Sequence, residues 1–120
     1  MKLAIGSDDK TTIRKGNFSD SRYFVVFEIL NAQVHSQEVR EKVRRTQLDE
    51  LLEFLQDCEI LMAQAFSKQM LNALEQSNMQ LVTTTVDGVK EALSSYLEFK
   101  DEFFKTYDKK ASRFISCKWC

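Results

Sequence analysis

Arg22 to Leu30 reads RYFVVFEIL, and Asn31-Ala32 separates it from the polar run Gln33 to Val43, QVHSQEVREKV. The first run alternates. Tyr23, Val25, Phe27 and Ile29 point one way, and Phe24, Val26 and Glu28 the other. Both sets are mostly apolar, which predicts a strand covered on both faces. The second run is far more polar and suits a sheet edge. Two strands joined by two residues make a hairpin, so the sheet contains an antiparallel pair.

Upstream, Lys2 to Gly6 (KLAIG) is a short apolar run ending in the turn signal Ser7-Asp8-Asp9, and predicts a buried first strand. Residues 10–21 form a loop with a β-like patch at Thr11-Thr12-Ile13, and its second half, KGNFSDSR (Lys15 to Arg22), leads into the hairpin. Downstream the period changes. Thr46 is a helix cap, and Leu48, Leu51, Leu52 and Leu55 follow at helical spacing. Cys58 to Ala63 (CEILMA) predicts a fourth strand. Ser67 caps a second helix with Met70, Leu71 and Leu74 inward and Asn78 as its stop. Met79 to Thr83 (MQLVT) predicts a fifth strand, and a third helix carries Val89, Leu93, Tyr96 and Leu97, continuing through Phe99, Phe103, Phe104 and Tyr107. From Lys109 onward no period is visible.

The order β-β-β-α-β-α-β-α implies helical crossovers between parallel strands after an antiparallel hairpin. The expected fold is a three-layer α/β/α domain with a mixed five-stranded sheet in which one strand is antiparallel.

Composition narrows the function. The chain has 120 residues, 43% hydrophobic and 29% charged, and carries 17 basic against 18 acidic side chains for a net charge of −1. That balance is globular. It lacks the basic surplus of a nucleic-acid binder, and the basic cluster Arg40 to Arg45 is diluted by Glu38 and Glu41 and reads as a solvated strand end. No apolar run reaches membrane-spanning length and the N-terminus has no signal-peptide layout, so a cytoplasmic location without membrane partners is expected. Three cysteines, an odd number, agree with a reducing compartment.

Taken in order, MKLAIGSDD, the Gly16-Asn17-Phe18 loop, RYFVVFEI, LLEFLQDCEILMAQA (Leu51 to Ala65), MLNALEQSNMQLVTTT (Met70 to Thr85) and VKEALSSYL (Val89 to Leu97) resemble the dinitrogenase iron–molybdenum cofactor biosynthesis family, the domain of NifX, NifY and the C-terminal part of NifB. The resemblance covers residues 1–98 and leaves 99–120 as a C-terminal extension. It implies a ribonuclease H-like fold and a non-catalytic carrier or chaperone of an iron–sulfur or iron–molybdenum-type cluster. Cluster donor or acceptor proteins are the implied partners.

The resemblance places Asn17, Phe18, Gln64 and Ser67 at the cofactor-binding face. Relatives often carry Gly-His-Phe-Gly where this chain has Gly16-Asn17-Phe18-Ser19, and a glycine-rich turn where it has Ala63-Gln64-Ala65-Phe66-Ser67. An amide oxygen is a hard, weak donor to iron in a sulfide cluster. Asn17 therefore reads as a turn residue, and the family's binding motifs are degenerate here. The alternatives are a cofactor-free protein–protein interaction module, with the aromatic segment Phe99 to Tyr107 packing on a partner or a second copy in a homodimer, and a thiol redox or metal role for Cys117-Lys118-Trp119-Cys120.

That Cys-x-x-Cys can grip one metal through Cys117 and Cys120, although one pair is half of a usual zinc or iron–sulfur site. Cys58 reads as a small core residue and His35 as an exposed strand residue. Asp8 and Asp9 resemble nuclease carboxylates, with Glu28, Asp57 and Asp87 as partners, but both are also ordinary turn formers. No catalytic residue set emerges, and no enzyme is expected.

Overall fold

The computed structural model describes residues 1–42, 47–75, 77–98 and 101–116. Its strands form one sheet in the order β3-β2-β1-β4-β5-β6-β7. β1 (Lys2–Ser7) pairs antiparallel with β2 (Tyr23–Leu30), which pairs antiparallel with β3 (Gln33–Glu41) at the edge. On its other side β1 runs parallel to β4 (Ile60–Ala63), and β4 runs parallel to β5 (Gln80–Thr84). The connections are helical: α1 (Leu48–Phe54) before β4, α2 (Lys68–Ala73) before β5 and α3 (Val89–Leu97) after it.

β2 is buried along most of its length, and its two faces feed two separate cores. Val25, Phe27 and Ile29 join Leu3, Met62 and Val82 beneath Val89, Ala92 and Leu93 of α3. Phe24 and Val26 join Leu61 and Leu81 beneath Leu51, Leu55, Met70 and Leu74 from the α1 and α2 regions. This alternation puts one helical layer on each face of the sheet. The hairpin turn is tight: Leu30 pairs with Gln33, and Asn31 and Ala32 both have positive φ, 54° and 60°. That geometry matches the right-handed twist of the flanking strands.

Side-chain hydrogen bonds set the start of α2 and the turn that follows it. The Ser67 hydroxyl caps α2 by accepting from the Met70 N–H at 3.2 Å. α2 stops at Ala73, short of Asn78, and the Ser77 hydroxyl donates back to the Leu74 carbonyl at 3.0 Å. Thr46, the expected cap of α1, lies outside the described residues, and Gln47 stands at the N-cap without a side-chain hydrogen bond.

The sheet has seven strands where five were expected, and the third helix does not continue through Phe103, Phe104 and Tyr107. α3 ends at Leu97, and Phe104–Asp108 forms β6, antiparallel to β5, followed by β7 (Arg113–Ile115) antiparallel to β6. So β6 reverses direction as β2 does, and more than one strand is antiparallel. Aromatic residues favour strands once both faces can be covered. Phe104 and Tyr107, three positions apart, serve opposite faces of β6. Phe104 is buried in the α3-side core against Tyr96, with ring centroids 5.3 Å apart, and Tyr107 packs in the other core against Phe114 at 5.0 Å. Phe103 is 37% exposed, and Phe99 lies outside the described residues.

Candidate functional site

β1, β4 and β5 are parallel, so the loops leaving their C-terminal ends gather at one end of the sheet, the usual place for a ligand in an open α/β fold. Backbone hydrogen bonds join these loops. The Phe18 N–H donates to the Ala65 carbonyl at 2.9 Å, and Asn17 bridges Ala65 in parallel β fashion. The Ile13 N–H donates to the Asp87 carbonyl at 2.7 Å and the Val89 N–H to the Thr11 carbonyl at 2.9 Å. The Gln64 side-chain amide reaches the Asp87 carboxylate at 3.5 Å.

The loop after β1 is organised by Asp9. Its carboxylate accepts from the Thr12 N–H at 2.7 Å, the Thr11 N–H at 2.9 Å and the Thr12 hydroxyl at 2.7 Å. These bonds, the Thr12 backbone first, hold the carboxyl well below the usual carboxylate range. Asp8 pairs with Arg14 and also accepts from the Arg22 N–H at 3.0 Å. Gly16 takes φ +133°, a conformation side chains rarely adopt, and this carries the chain from Lys15 into Asn17. A cleft of about 520 Å³ opens here, lined among others by Asp8, Arg14, Lys15 and Asp87.

The positions that the family resemblance singled out fall as follows. Asn17 is half-buried beside Ala65. Phe18 has 0% exposure, wedged between Phe24 at 4.9 Å and Phe66 at 5.4 Å. Gln64 is tied to Asp87, and Ser67 caps α2. The fold thus brings the 15–19 and 63–67 loops together. Cys117 and Cys120 lie outside the described residues.

Arg14 and Lys15 belong to this face and were not singled out from the sequence, which carries no signal for them. Asp8, Asp9 and Asp87 line the cleft, whereas Asp57 bonds Lys2 at the start of β1 and Glu28 pairs with Lys2 across the sheet. The five carboxylates considered as nuclease ligands therefore do not converge. Among the described residues no group of three or more His, Cys, Asp or Glu side chains is placed to hold a metal ion. Cys58 is buried, and burial pushes its thiol up to about 11, which disfavours the thiolate a metal needs. His35 is exposed on edge strand β3. No helix among the described residues is long and apolar enough to cross a membrane.

This is a mixed-sheet α/β domain with helices on both faces and a loop-built cleft at the C-terminal ends of its parallel strands. Residues 1–98 match the family model described as dinitrogenase iron-molybdenum cofactor, and the chain belongs to that family. Among solved structures it is similar to PH0822, at 24% identity and TM-score 0.71, covering 82% of this chain and 92% of that one. It is also similar to a Methanocaldococcus jannaschii protein named "putative dinitrogenase", at 19% identity and TM-score 0.68, covering 83% and 90%. A third, from Thermotoga, is named a "putative NifB protein" of the DUF35 family, at 17% identity and TM-score 0.64, covering 81% and 87%. At these identities the structures show the fold. No curated protein matches the chain. Family membership supports a role related to the cofactor.

Proposed function

We propose that the protein is a non-catalytic carrier or chaperone that takes an anionic iron–sulfur-type cluster as cargo on the face built by residues 8–20 and 63–67. The observation that carries this reading is the hydrogen bond from the Phe18 N–H to the Ala65 carbonyl, which with the Asn17–Ala65 bridge makes one rigid surface of the two loops. Lys15 is exposed beside it and Arg14 lines the same cleft. Arg14 is paired with Asp8, so Lys15 is the cation that would attract an anionic cluster without ligating it, which suits a protein that must give its cargo up.

The strand order β3-β2-β1-β4-β5, with β2 reversed, supports a ribonuclease H-like classification of the family portion. The non-catalytic assignment is supported by a buried Cys58 and by a His35 remote from the loops. Cluster donor and acceptor proteins of the cytoplasm are the partners this role requires. A cofactor-free interaction module is the second reading, favoured by the lack of a His/Cys ligand group among the described residues.

Anaerobic reconstitution with ferrous iron and sulfide tests the proposal. Lys15→Glu is expected to weaken cluster uptake about fivefold at low ionic strength, less as salt is raised. Asn17→His should strengthen uptake by restoring an imidazole donor. Equal uptake by both variants and the parent chain would overturn the loop face as the binding surface, and no uptake by any of them would leave the interaction module.

A further inference from the structure

The sheet order ends at β3, and among the described residues no strand pairs with its outer edge. Its nine residues are exposed except for Arg40. An edge of this length is normally guarded by proline, by lysine or by a cover of helix or loop. The chain has no proline, and no lysine falls between Gln33 and Glu41. The one irregularity is a bulge. Glu28 pairs with Ser36 but Ile29 with Val34, which leaves His35 as the extra residue. From Ser36 to Glu41 the edge is regular.

The backbone direction along that stretch is fixed by its neighbour. The Lys42 N–H donates to the Arg22 carbonyl at 2.8 Å, so Lys42 turns its polar groups towards β2. Alternation does the same for Arg40, Glu38 and Ser36, and it aims the N–H and C=O groups of Gln37, Val39 and Glu41 outward. The side chains alternate too. Val39 pairs with Val25 and stands on the α3 side of the sheet, yet it is 42% exposed because a strand flanks it on one side only. Glu38 and Arg40 stand on the opposite face.

We propose that this edge pairs antiparallel with the same edge of a second copy of the chain, with Val39 at the two-fold axis, so that two sheets become one. A symmetric antiparallel pair sets one residue opposite its own mate, and charge selects which. Centring on Glu38 sets two carboxylates face to face. Centring on Arg40 sets two guanidinium groups face to face, and centring on Glu41 opposes Glu41 to itself and Arg40 to Lys42. Centring on Gln37 brings Val39 against the bulged His35. Centring on Val39 sets Glu38 opposite the Arg40 of the other copy on both sides of the axis and brings valine against valine. It also matches the backbone: Val39 exchanges both hydrogen bonds with its mate, and Gln37 and Glu41 exchange theirs across the axis. The axis stands perpendicular to the sheet, so the two loop faces lie at opposite ends of the joined sheet and both stay open. A seven-residue seam is a small interface, and the association is therefore a concentration-dependent equilibrium.

Sedimentation equilibrium of the parent chain and of Val39→Lys, over a wide concentration range, tests the seam. Val39 is exposed, so the substitution spares the core, and urea midpoints check that the variant is folded. A second arm uses near-isosteric Val39→Cys in a Cys117→Ser/Cys120→Ser background, where the remaining Cys58 is buried. Directly opposite residues of a hydrogen-bonded pair lie about 5.5 Å apart between Cα atoms, within disulfide reach. Gln37→Cys in the same background is the register control. In the Val39-centred pairing the two copies of position 37 are offset by four residues, about 13 Å, which is beyond that reach.

The expected result is a parent chain that passes from one copy to two as concentration rises, at least tenfold weaker association for Val39→Lys, and a disulfide-linked dimer from Val39→Cys under a mild thiol oxidant but not from Gln37→Cys. A parent chain that stays monomeric throughout overturns the proposal and leaves the edge to a strand from a different protein. A dimer indifferent to Val39→Lys, with no cross-link at position 39, overturns it by placing association on another surface. Cross-linking at 37 as readily as at 39 overturns the register. None of these outcomes bears on cluster uptake by the loop face, so the two readings stand or fall separately.

Discussion

Gly6 stands on β1 opposite Phe24, with no room for a side chain. A Cβ there would lie 2.3 Å from the Ser21 hydroxyl oxygen and 3.2 Å from the Phe18 ring. Ser21 is itself fully buried, and among the described residues its hydroxyl has no hydrogen-bond partner. Gly6→Ala should therefore cost about 1–3 kcal/mol through overpacking. Ser21→Ala removes an unsatisfied polar atom and should be neutral or stabilising. Because the two side chains contend for one space, the double variant should lose less than the sum of the singles in urea titrations; strict additivity would show that the contact is relieved elsewhere. At this scale Asn17 was legible as a turn residue, whereas the full burial of Phe18, which the resemblance placed at the binding face, emerges only from the fold. Arg14 and Lys15 were not legible either, because nothing in a linear sequence says which basic residues end at a cleft.

The β2–β3 hairpin was legible for the same kind of reason: an alternating apolar run, two turn residues and a polar run. Its turn also holds a local mismatch. Ala32 sits at φ 60°, where an L side chain costs about 1–2 kcal/mol relative to its preferred region. Glycine avoids that cost but brings more freedom to the unfolded chain, worth about 0.4–1 kcal/mol. Ala32→Gly should thus stabilise the domain by roughly 0.5 kcal/mol, read as a higher urea midpoint with unchanged slope. The β6–β7 hairpin was not legible. Phe99, Phe103 and Tyr107 share helical spacing, and only β5, an exposed edge without β6, makes strand pairing the better outcome. Phe114 secures that hairpin through Phe66 and Tyr107. Phe114→Ala should destabilise by about 2–3 kcal/mol, less than a fully buried phenylalanine because Phe114 is only partly buried. Amide exchange should quicken first in 104–115, and uniform acceleration across all strands would show instead that the hairpin unfolds only with the whole domain.

Across the whole molecule, three segments distant in sequence are tied together at Asp57. Asp57, after α1, takes a bidentate pair from Arg40 of β3 at 2.8 and 2.7 Å and a further bond from Lys2 of β1 at 3.1 Å. Arg40 also donates to the Phe54 carbonyl at the end of α1 at 3.1 Å, and its side chain is only 15% exposed. The basic cluster that the sequence presented as a solvated strand end is, at Arg40, a tie between sheet edge and helix. Pairing of residues 17 positions apart across two elements is invisible before the fold is known. The Arg40 hydrogen bonds hold the Asp57 carboxyl well below the usual carboxylate range. A depressed folded-state value contributes stability above the unfolded value, about 4, that is lost as pH falls through the lower folded value. Asp57 is 42% exposed, so solvent screening limits the tie to about 1 kcal/mol. Asp57→Asn should accordingly be about 1 kcal/mol less stable than the parent chain at pH 7. That gap should narrow steadily as pH is lowered from about 5 towards 2, and should also narrow in part when salt is raised at pH 7. Stability curves for the two proteins that stay parallel down to pH 2 would show that Arg40 holds the edge strand by packing its stem and bonding the Phe54 carbonyl, with the carboxylate contributing nothing.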